Sequence, residues 1–327
     1  MRNASDATIV NQKRWDALAE RHGRGDDEYY DVAGFLAGGS SLTDRERAKV
    51  NAAVGDVAGL ELLHLQCHFG LDTLSWARAG ANVTGVDFSA VAVERARRLA
   101  AEAGLATGVR PATLPQTNAQ AEPDAQAGLA EEAQPAAQVR PGAQARPTVG
   151  FVQADVLALP SELAGRFDVV FASYGVLCWI RSAAEWMASA AACLRPGGAL
   201  VLIDMHPLVN MIESADPLVV DFPYAGEEPV RFDSGTSYAV AGLDAEASET
   251  VQYAHGLGEI VSAAAGAGLR VESLTEWFDE EIDPKLARSP DGRRCSWCWS
   301  RRTFRPVHRC GAGHGRSVPG PPVGSRW

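Results

Sequence analysis

The chain has 327 residues, 46% of them hydrophobic, and a formal charge of −11 at neutral pH. Its apolar content is that of a globular protein with one large or two ordinary domains, and its acidic balance speaks against general nucleic-acid binding, which needs a basic footprint. No apolar run approaches the ~20 residues that cross a bilayer, and the opening MRNASDATIVNQKRWDALAERHG lacks a signal-peptide core, so a cytoplasmic protein without a membrane partner is expected.

Taken in order, residues 11–35 carry Trp15, Tyr29, Tyr30 and Phe35 on an expected helix and loop. Leu60–Leu65 is an apolar strand, Asp72–Ala79 a helix, Asn82–Val86 a second strand, and Ala90–Ala103 a helix with Glu94, Arg95, Arg97 and Arg98 on its wet face. Residues 106–148 interrupt this text: Ala, Pro and Gln make up 24 of these 43 residues, with no aromatic among them. Such a segment cannot bury enough apolar area to offset the entropy of ordering, and it reads as a disordered insertion inside a domain. Val149–Ala154 is a third strand, Phe167–Ser173 (FDVVFAS) a fourth with the continuous β-branched and aromatic run of a doubly covered strand, and Ala183–Leu194 a helix stopped by Arg195-Pro196-Gly197-Gly198. Ala199–Asp204 is a fifth strand, 207–250 an irregular insert, Gly258–Ala267 a helix and Leu269–Leu274 a sixth strand. Strands alternating with helices imply right-handed βαβ units: a doubly wound, mostly parallel α/β sheet with helices on both faces.

Ligands of open parallel sheets bind beyond the carboxyl ends of the strands, where strand order reverses. Polar or glycine residues stand at five such ends: Gly70, Asp87, Asp155, Ser173-Tyr174-Gly175, and Asp204-Met205-His206. A carboxylate placed as Asp87 is can accept from both hydroxyls of a ribose; the alternative is a cap on the helix that starts near Ser89. Asp155 can accept from an adenine amino group, or else serve its own loop. The first turn, Gln66-Cys67-His68-Phe69-Gly70, is poor in the glycines that phosphate-binding turns require. A metal site from His64, Cys67 and His68 is disfavoured, because His64 lies inside a strand and no fourth ligand cluster is near, and no metal is expected. Cys67, Cys178 and Cys193 sit in apolar runs and read as reduced, buried thiols. In the basic tail, Cys295 and Cys298 with His308, Cys310 and His314 match no strong zinc spacing.

The order LLHLQCHFG, VTGVDFS, VQADV, FDVVFASYGVLCW, LRPGGALVLID resembles the class I S-adenosylmethionine-dependent methyltransferases, especially bacterial small-molecule members, over about Asn11–Asp279 without the insertion. The resemblance implies a seven-stranded-type sheet and a domain over residues 1–284, with an N-terminal cap over 1–50, the 106–148 insertion, a lid insert over 207–250, and a separate disordered tail over 285–327. It implies S-adenosylmethionine as cofactor, held by His64, Gln66, Cys67, His68, Gly70, Asp87, Phe88, Asp155, Val156, Ser173 and Tyr174. The acceptor is expected to be a small molecule lined by Trp15, Tyr30, Tyr174, His206 and Tyr238, with His206 the first candidate for a general base and His255 a weaker one. Here His64 stands where the family usually has an acid, and Gln66 and His68 stand at its first two glycine positions. Two other readings stay open: a catalytically idle adenosyl-cofactor binder, and an NAD(P) oxidoreductase, which the missing G-x-G-x-x-G disfavours.

Overall fold

The computed structural model describes residues 4–22, 29–105, 147–215, 217–234 and 248–277. The Ala/Pro/Gln-rich insertion, all but its last two residues, and the basic tail lie outside these residues, as does Tyr238. The chain opens on α1 (Ala4–Arg21), α2 (Val32–Leu36) and α3 (Asp44–Val54), then alternates β1 (Glu61–Leu65), α4 (Leu71–Arg78), β2 (Asn82–Asp87), α5 (Ala90–Glu102), β3 (Val149–Gln153), β4 (Phe167–Ser173), α6 (Ala183–Cys193) and β5 (Leu194–Ile203). A short α7 (Pro207–Asn210), two hairpin pairs, β6 (Ile212–Ala215) with β7 (Leu218–Val220) and β8 (Val230–Ser234) with β9 (Ser248–Gln252), and α8 (Leu257–Gly266) follow.

Five strands form one parallel sheet in the order β3-β2-β1-β4-β5. The chain moves outward from β1 to β3, then returns to place β4 on the other side of β1, so the order reverses between β1 and β4. Alternate residues of each strand feed two cores, as the twofold period of a strand demands. One face buries Leu62, Val83, Phe151 and Phe171 against Val50, Leu74, Trp76 and Ala96 of α3, α4 and α5. The other buries Leu63, Leu65, Val170 and Ala172 against Trp186, Met187 and Ala190 of α6 and Ala263 of α8. Helices therefore cover both faces, as the alternating text implies.

Two boundaries differ from the sequence reading. Arg195-Pro196-Gly197-Gly198 does not separate α6 from β5 but lies inside β5, where the register against β4 slips between Phe167 and Val169. Gly197 takes φ +83°. A Cβ on Gly198 would stand 2.8 Å from the Phe167 carbonyl oxygen. The slip therefore needs glycine. The expected sixth strand at 269–274 is not a strand in the structure: the segment pairs with no described strand, and Val271 and Leu274 are exposed. Without sheet partners its β-branched and apolar residues have no pleated surface to fill. Among the described residues no helix is long and apolar enough to cross a membrane.

Candidate functional site

The turn after β1 is built without glycine at two positions that glycine would suit. Gln66 and His68 both take left-handed backbone, with φ of 55° and 50°. Ordinary side chains adopt that conformation only when their surroundings hold them there. The contacts that do so are visible. The Gln66 side chain donates to the Val176 carbonyl at 3.0 Å and accepts from Trp186 Nε1 at 2.8 Å. It therefore ties the turn to the segment after β4 and to α6. The His68 N–H donates to Asp87 Oδ2 at 2.8 Å, and the Cys67 N–H to the Val86 carbonyl at 3.0 Å, which join the turn to the end of β2. Gly70, φ +80°, starts α4 with no room for a side chain: a Cβ would lie 2.7 Å from Phe151 and 2.9 Å from Ala96. Its glycine serves the packing of β3 and α5 under the turn.

Asp87 is buried at the end of β2 and accepts from two backbone groups, His68 N–H on one oxygen and Ser89 N–H at 2.9 Å on the other. Burial pushes its carboxyl up to about 6, against the pull of these hydrogen bonds, and the nearby Asp16 adds to the rise. The Phe88 N–H also acts on this carboxylate; a carboxylate has about four lone-pair sites, so about one remains for a further donor. Ser89 caps α5 with its own hydroxyl, accepting from Ala92 N–H, so Asp87 is not the cap of that helix. At the end of β3, Asp155 Oδ1 accepts from Leu157 N–H at 2.9 Å and its carboxylate serves its own turn, while Val156 is buried and receives Ser189 Oγ on its carbonyl.

The imidazole of His68 lies between α1 and the sheet. Its Nε2 stands 3.0 Å from His22 Nδ1, while its Nδ1 is buried with no hydrogen-bond partner among the described residues. Trp15 meets it edge-on at 5.3 Å between centroids and meets Trp179, from the turn after β4, at 5.4 Å; Tyr30 packs on Phe69 at 4.8 Å. Burial, then the neighbouring His22 and Arg95, push the His68 imidazole well below its ordinary range. Gln12 Nε2 donates to the Phe88 carbonyl at 3.0 Å, and Ser89 Oγ donates to Asp16. The sequence reading does not single out Gln12, Asp16 or His22. The signal is present, however: Ala7, Asn11, Arg14 and Leu18 of α1, and His22 just past its end, are buried at helical spacing, and three of these five are polar. A helix that buries polar groups at its apolar stripe positions is being held to something.

His64 and Cys67 face the packed interior rather than a shared ligand shell. His64 Nδ1 is 2.8 Å from Thr73 Oγ1 and its ring lies on Phe171. Burial pushes this imidazole down to about 3. Cys67 is a buried free thiol, raised well above its usual range first by desolvation and then by Asp87. Beyond β4, Ser173 and Tyr174 are part-buried, and the Tyr174 hydroxyl is raised by burial and by the charge of Glu46. Glu46 itself is buried and is pushed up to about 7 by desolvation and by Asp72. Its carboxylate closes the capping box of α3 on Thr43.

The end of β5 forms a separate group. Asp204 accepts from Val176, Leu177 and Met205 N–H at 3.1, 3.0 and 2.8 Å, fastening the turn after β4 to β5. A shallow cavity beyond these ends is lined by Cys178, Asp204, Met205, Asn210, Tyr253 and His255. His206 lies just outside this lining as the N-cap of α7; its Nδ1 accepts from Leu208 N–H and its Nε2 stands 2.6 Å from Glu276. His255 is held between Ile180 O at 2.6 Å and Glu259 at 2.9 Å. Trp15, Tyr30, His68, Asp87 and Phe88 thus share one end of the sheet, and His206 and Tyr174 stand at the β4–β5 side.

Residues 63–202 match the family model described as a methyltransferase domain. Solved structures of similar fold include an S-adenosylmethionine-dependent methyltransferase from Mesorhizobium loti (18% identity, 76% of this chain, 91% of that one, TM-score 0.40), DesVI of Streptomyces venezuelae (16%, 83%, 92%, 0.41) and a DhpI–SAH complex (15%, 81%, 89%, 0.42). No curated protein matches the chain.

Proposed function

We propose, from the premise that residues 63–202 are a class I methyltransferase domain with S-adenosylmethionine as its cofactor, that this chain moves a methyl group to a small-molecule acceptor. The observation that carries the site is the junction of the first turn with Asp87. A buried carboxylate with unused acceptor capacity stands there beside a buried imidazole nitrogen that has no partner among the described residues. That pair of groups fits a ligand with ribose hydroxyls and an amino-acid end and no phosphate. A turn that must cradle a pyrophosphate would need glycine and helix N–H groups open to it, whereas here the side chains of Gln66 and His68 fill the turn.

In this reading Asp87 accepts from the ribose, and His68 Nδ1 faces the polar methionine end. Gly70 and Gln66 hold the turn in shape rather than touching the cofactor. The cofactor supplies an activated methyl group on a sulfonium; the protein's part is to orient the two reactants and exclude water. Trp15 and Trp179 supply that exclusion where β1 and β4 diverge. We place the acceptor on the β4–β5 side, at the cavity bounded by Asp204, Met205 and Tyr253. With Nδ1 engaged by Leu208 N–H and Nε2 by Glu276, His206 has no free lone pair in this arrangement. It acts as a base only if the Leu208 bond opens, so an acceptor with a neutral lone pair suits the site best.

The test is release of S-adenosylhomocysteine from S-adenosylmethionine over a panel of amine, phenol, thiol and carboxylate acceptors. Acceptor-dependent release is expected with at least one class. Cofactor binding with no release on any of them would instead favour the idle cofactor binder.

A further inference from the structure

Helix α1 is fastened by side-chain contacts along its length, among them the following. In its first half, the Asn11 amide donates to the Val251 carbonyl at 2.8 Å and accepts from its N–H at 2.9 Å, extending the β9 ladder onto a side chain. In its middle, Gln12 reaches Phe88 and Asp16 receives Ser89. Just past its end, the fully buried His22 meets His68 at 3.0 Å between ring nitrogens. The first contact is made by an amide that does not change charge. Only the last is made by two groups whose ordinary titration lies near neutral pH.

A nitrogen-to-nitrogen contact of 3.0 Å needs one hydrogen between the rings. Two neutral imidazoles satisfy this in either tautomeric order, and one added proton still leaves an acceptor. When both rings are protonated, both nitrogens carry hydrogen and both rings carry charge, and the contact becomes repulsive. The surroundings make charging costly while α1 is in place. His22 is fully buried, and Arg95 of α5 adds a cation beside His68 while donating to the Ala19 carbonyl of α1. Trp15 and Tyr30 present rings; among the described residues the nearest acid tied to the pair is Asp87 of β2, which accepts from the His68 backbone N–H, with Asp16 of α1 beside that carboxylate.

We propose that His22 and His68 form a proton-sensitive latch holding α1 over the Asp87 end of the site, closed while the pair keeps a neutral ring and released when both rings are protonated. The direction follows from linkage. His68 is held below its ordinary range first by burial and then by His22 and Arg95, and part of that cover comes from Trp15 of α1 and from His22 just past it. The latch's contribution is therefore whole above about pH 6.5, the ordinary histidine value, and is lost as pH falls. Asp87, pushed up to about 6 in the covered state, works the other way and offsets part of the release at still lower pH. The consequence for cofactor exchange rests on the methyltransferase reading. The latch itself does not, and it is tested without cofactor.

The experiment is hydrogen–deuterium exchange of the full chain at pH 7.5 and 5.5, corrected for intrinsic exchange, following α1 with β1 and β4 as internal controls. Protection of α1 is expected to fall about three- to tenfold at the lower pH, the range reflecting one net proton with and without the Asp87 offset, while β1 and β4 stay protected. In the double variant H22Q/H68Q an amide pair replaces the imidazoles, and this fall is expected to vanish. A flat wild-type profile, or a fall that survives in the double variant, overturns the latch. Should the double variant lose β1 protection, the wild-type imidazole resonances decide. Titration of both rings with α1 still protected overturns the proposal; titration only as α1 opens supports it.

Discussion

Glu46 shows how one buried acid serves structure and electrostatics together. Its carboxyl is pushed up to about 7 in the fold, above the ~4.3 of an exposed glutamate. A raised carboxyl contributes stability that is whole below the unfolded value and is lost as pH rises through the folded one. Glu46→Gln keeps the capping box, which accepts glutamine, and removes the charge. The variant is expected to match wild type at pH 4 and to be about 1–3 kcal/mol more stable at pH 8, read as a pair of Tm-versus-pH curves that part as pH rises. A variant that is less stable at pH 8 would show that the ionised form is favoured here. Gln66 makes the contrasting case. Gln66→Ala leaves the buried Trp186 N–H without its acceptor. The cost is expected to be about 2–3 kcal/mol. Thermal melting should drop by about 5–10 °C with cofactor affinity little changed; a large loss of affinity at full folding would make Gln66 a binding residue instead. The sequence carries the position of both residues but not their role, because the partners that define it lie far along the chain: Val176 and Trp186 for Gln66, Asp72 for Glu46.

At the scale of elements, the turn between β1 and α4 is held from three sides: by β2 through Asp87, by α6 through Trp186, and by β3 and α5 against Gly70. Gly70→Ala must take φ near +80° and place a methyl group within 2.9 Å of Phe151 and Ala96. The left-handed backbone and the overpacking together are expected to cost about 2–5 kcal/mol, measured by denaturant unfolding. A loss under about 1 kcal/mol would mean that β3 and α5 can yield. The alternating elements were legible because their signals are local, such as β-branched runs for strands buried on both faces and a helix start near Ser89; α3, with its Thr43 capping box, was not among the predicted elements. What was not legible were the places where tertiary pairing overrode local text. Arg-Pro-Gly-Gly, a turn by composition, bulges within β5 between Leu194 and Ala199, which both pair with β4, and 269–274, a strand by composition, finds no edge to join among the described residues. Asp155, a ligand by position, also serves its own turn through one oxygen, which accepts from Leu157 N–H.

For the whole molecule, the reversal of strand order between β1 and β4 gathers residues from α1, the first turn, the end of β2 and the turn after β4 into one group. Topology alone makes this meeting possible, since His22, His68, Asp87 and Trp179 have no proximity in sequence. Part of that group stood in the sequence as strand-end residues and as Trp15 of the N-terminal cap; Gln12, Asp16 and His22 did not, because a helix before the first strand has no fixed place in the alternating pattern. The direct test of this arrangement is calorimetric titration of the full chain with S-adenosylhomocysteine and, separately, with NAD, repeated for Asp87→Ala. Binding of one S-adenosylhomocysteine per chain, no binding of NAD, and at least a tenfold loss in Asp87→Ala are the expected results. No heat with S-adenosylhomocysteine, or an affinity that Asp87→Ala in its folded form leaves unchanged, would contradict the site described above.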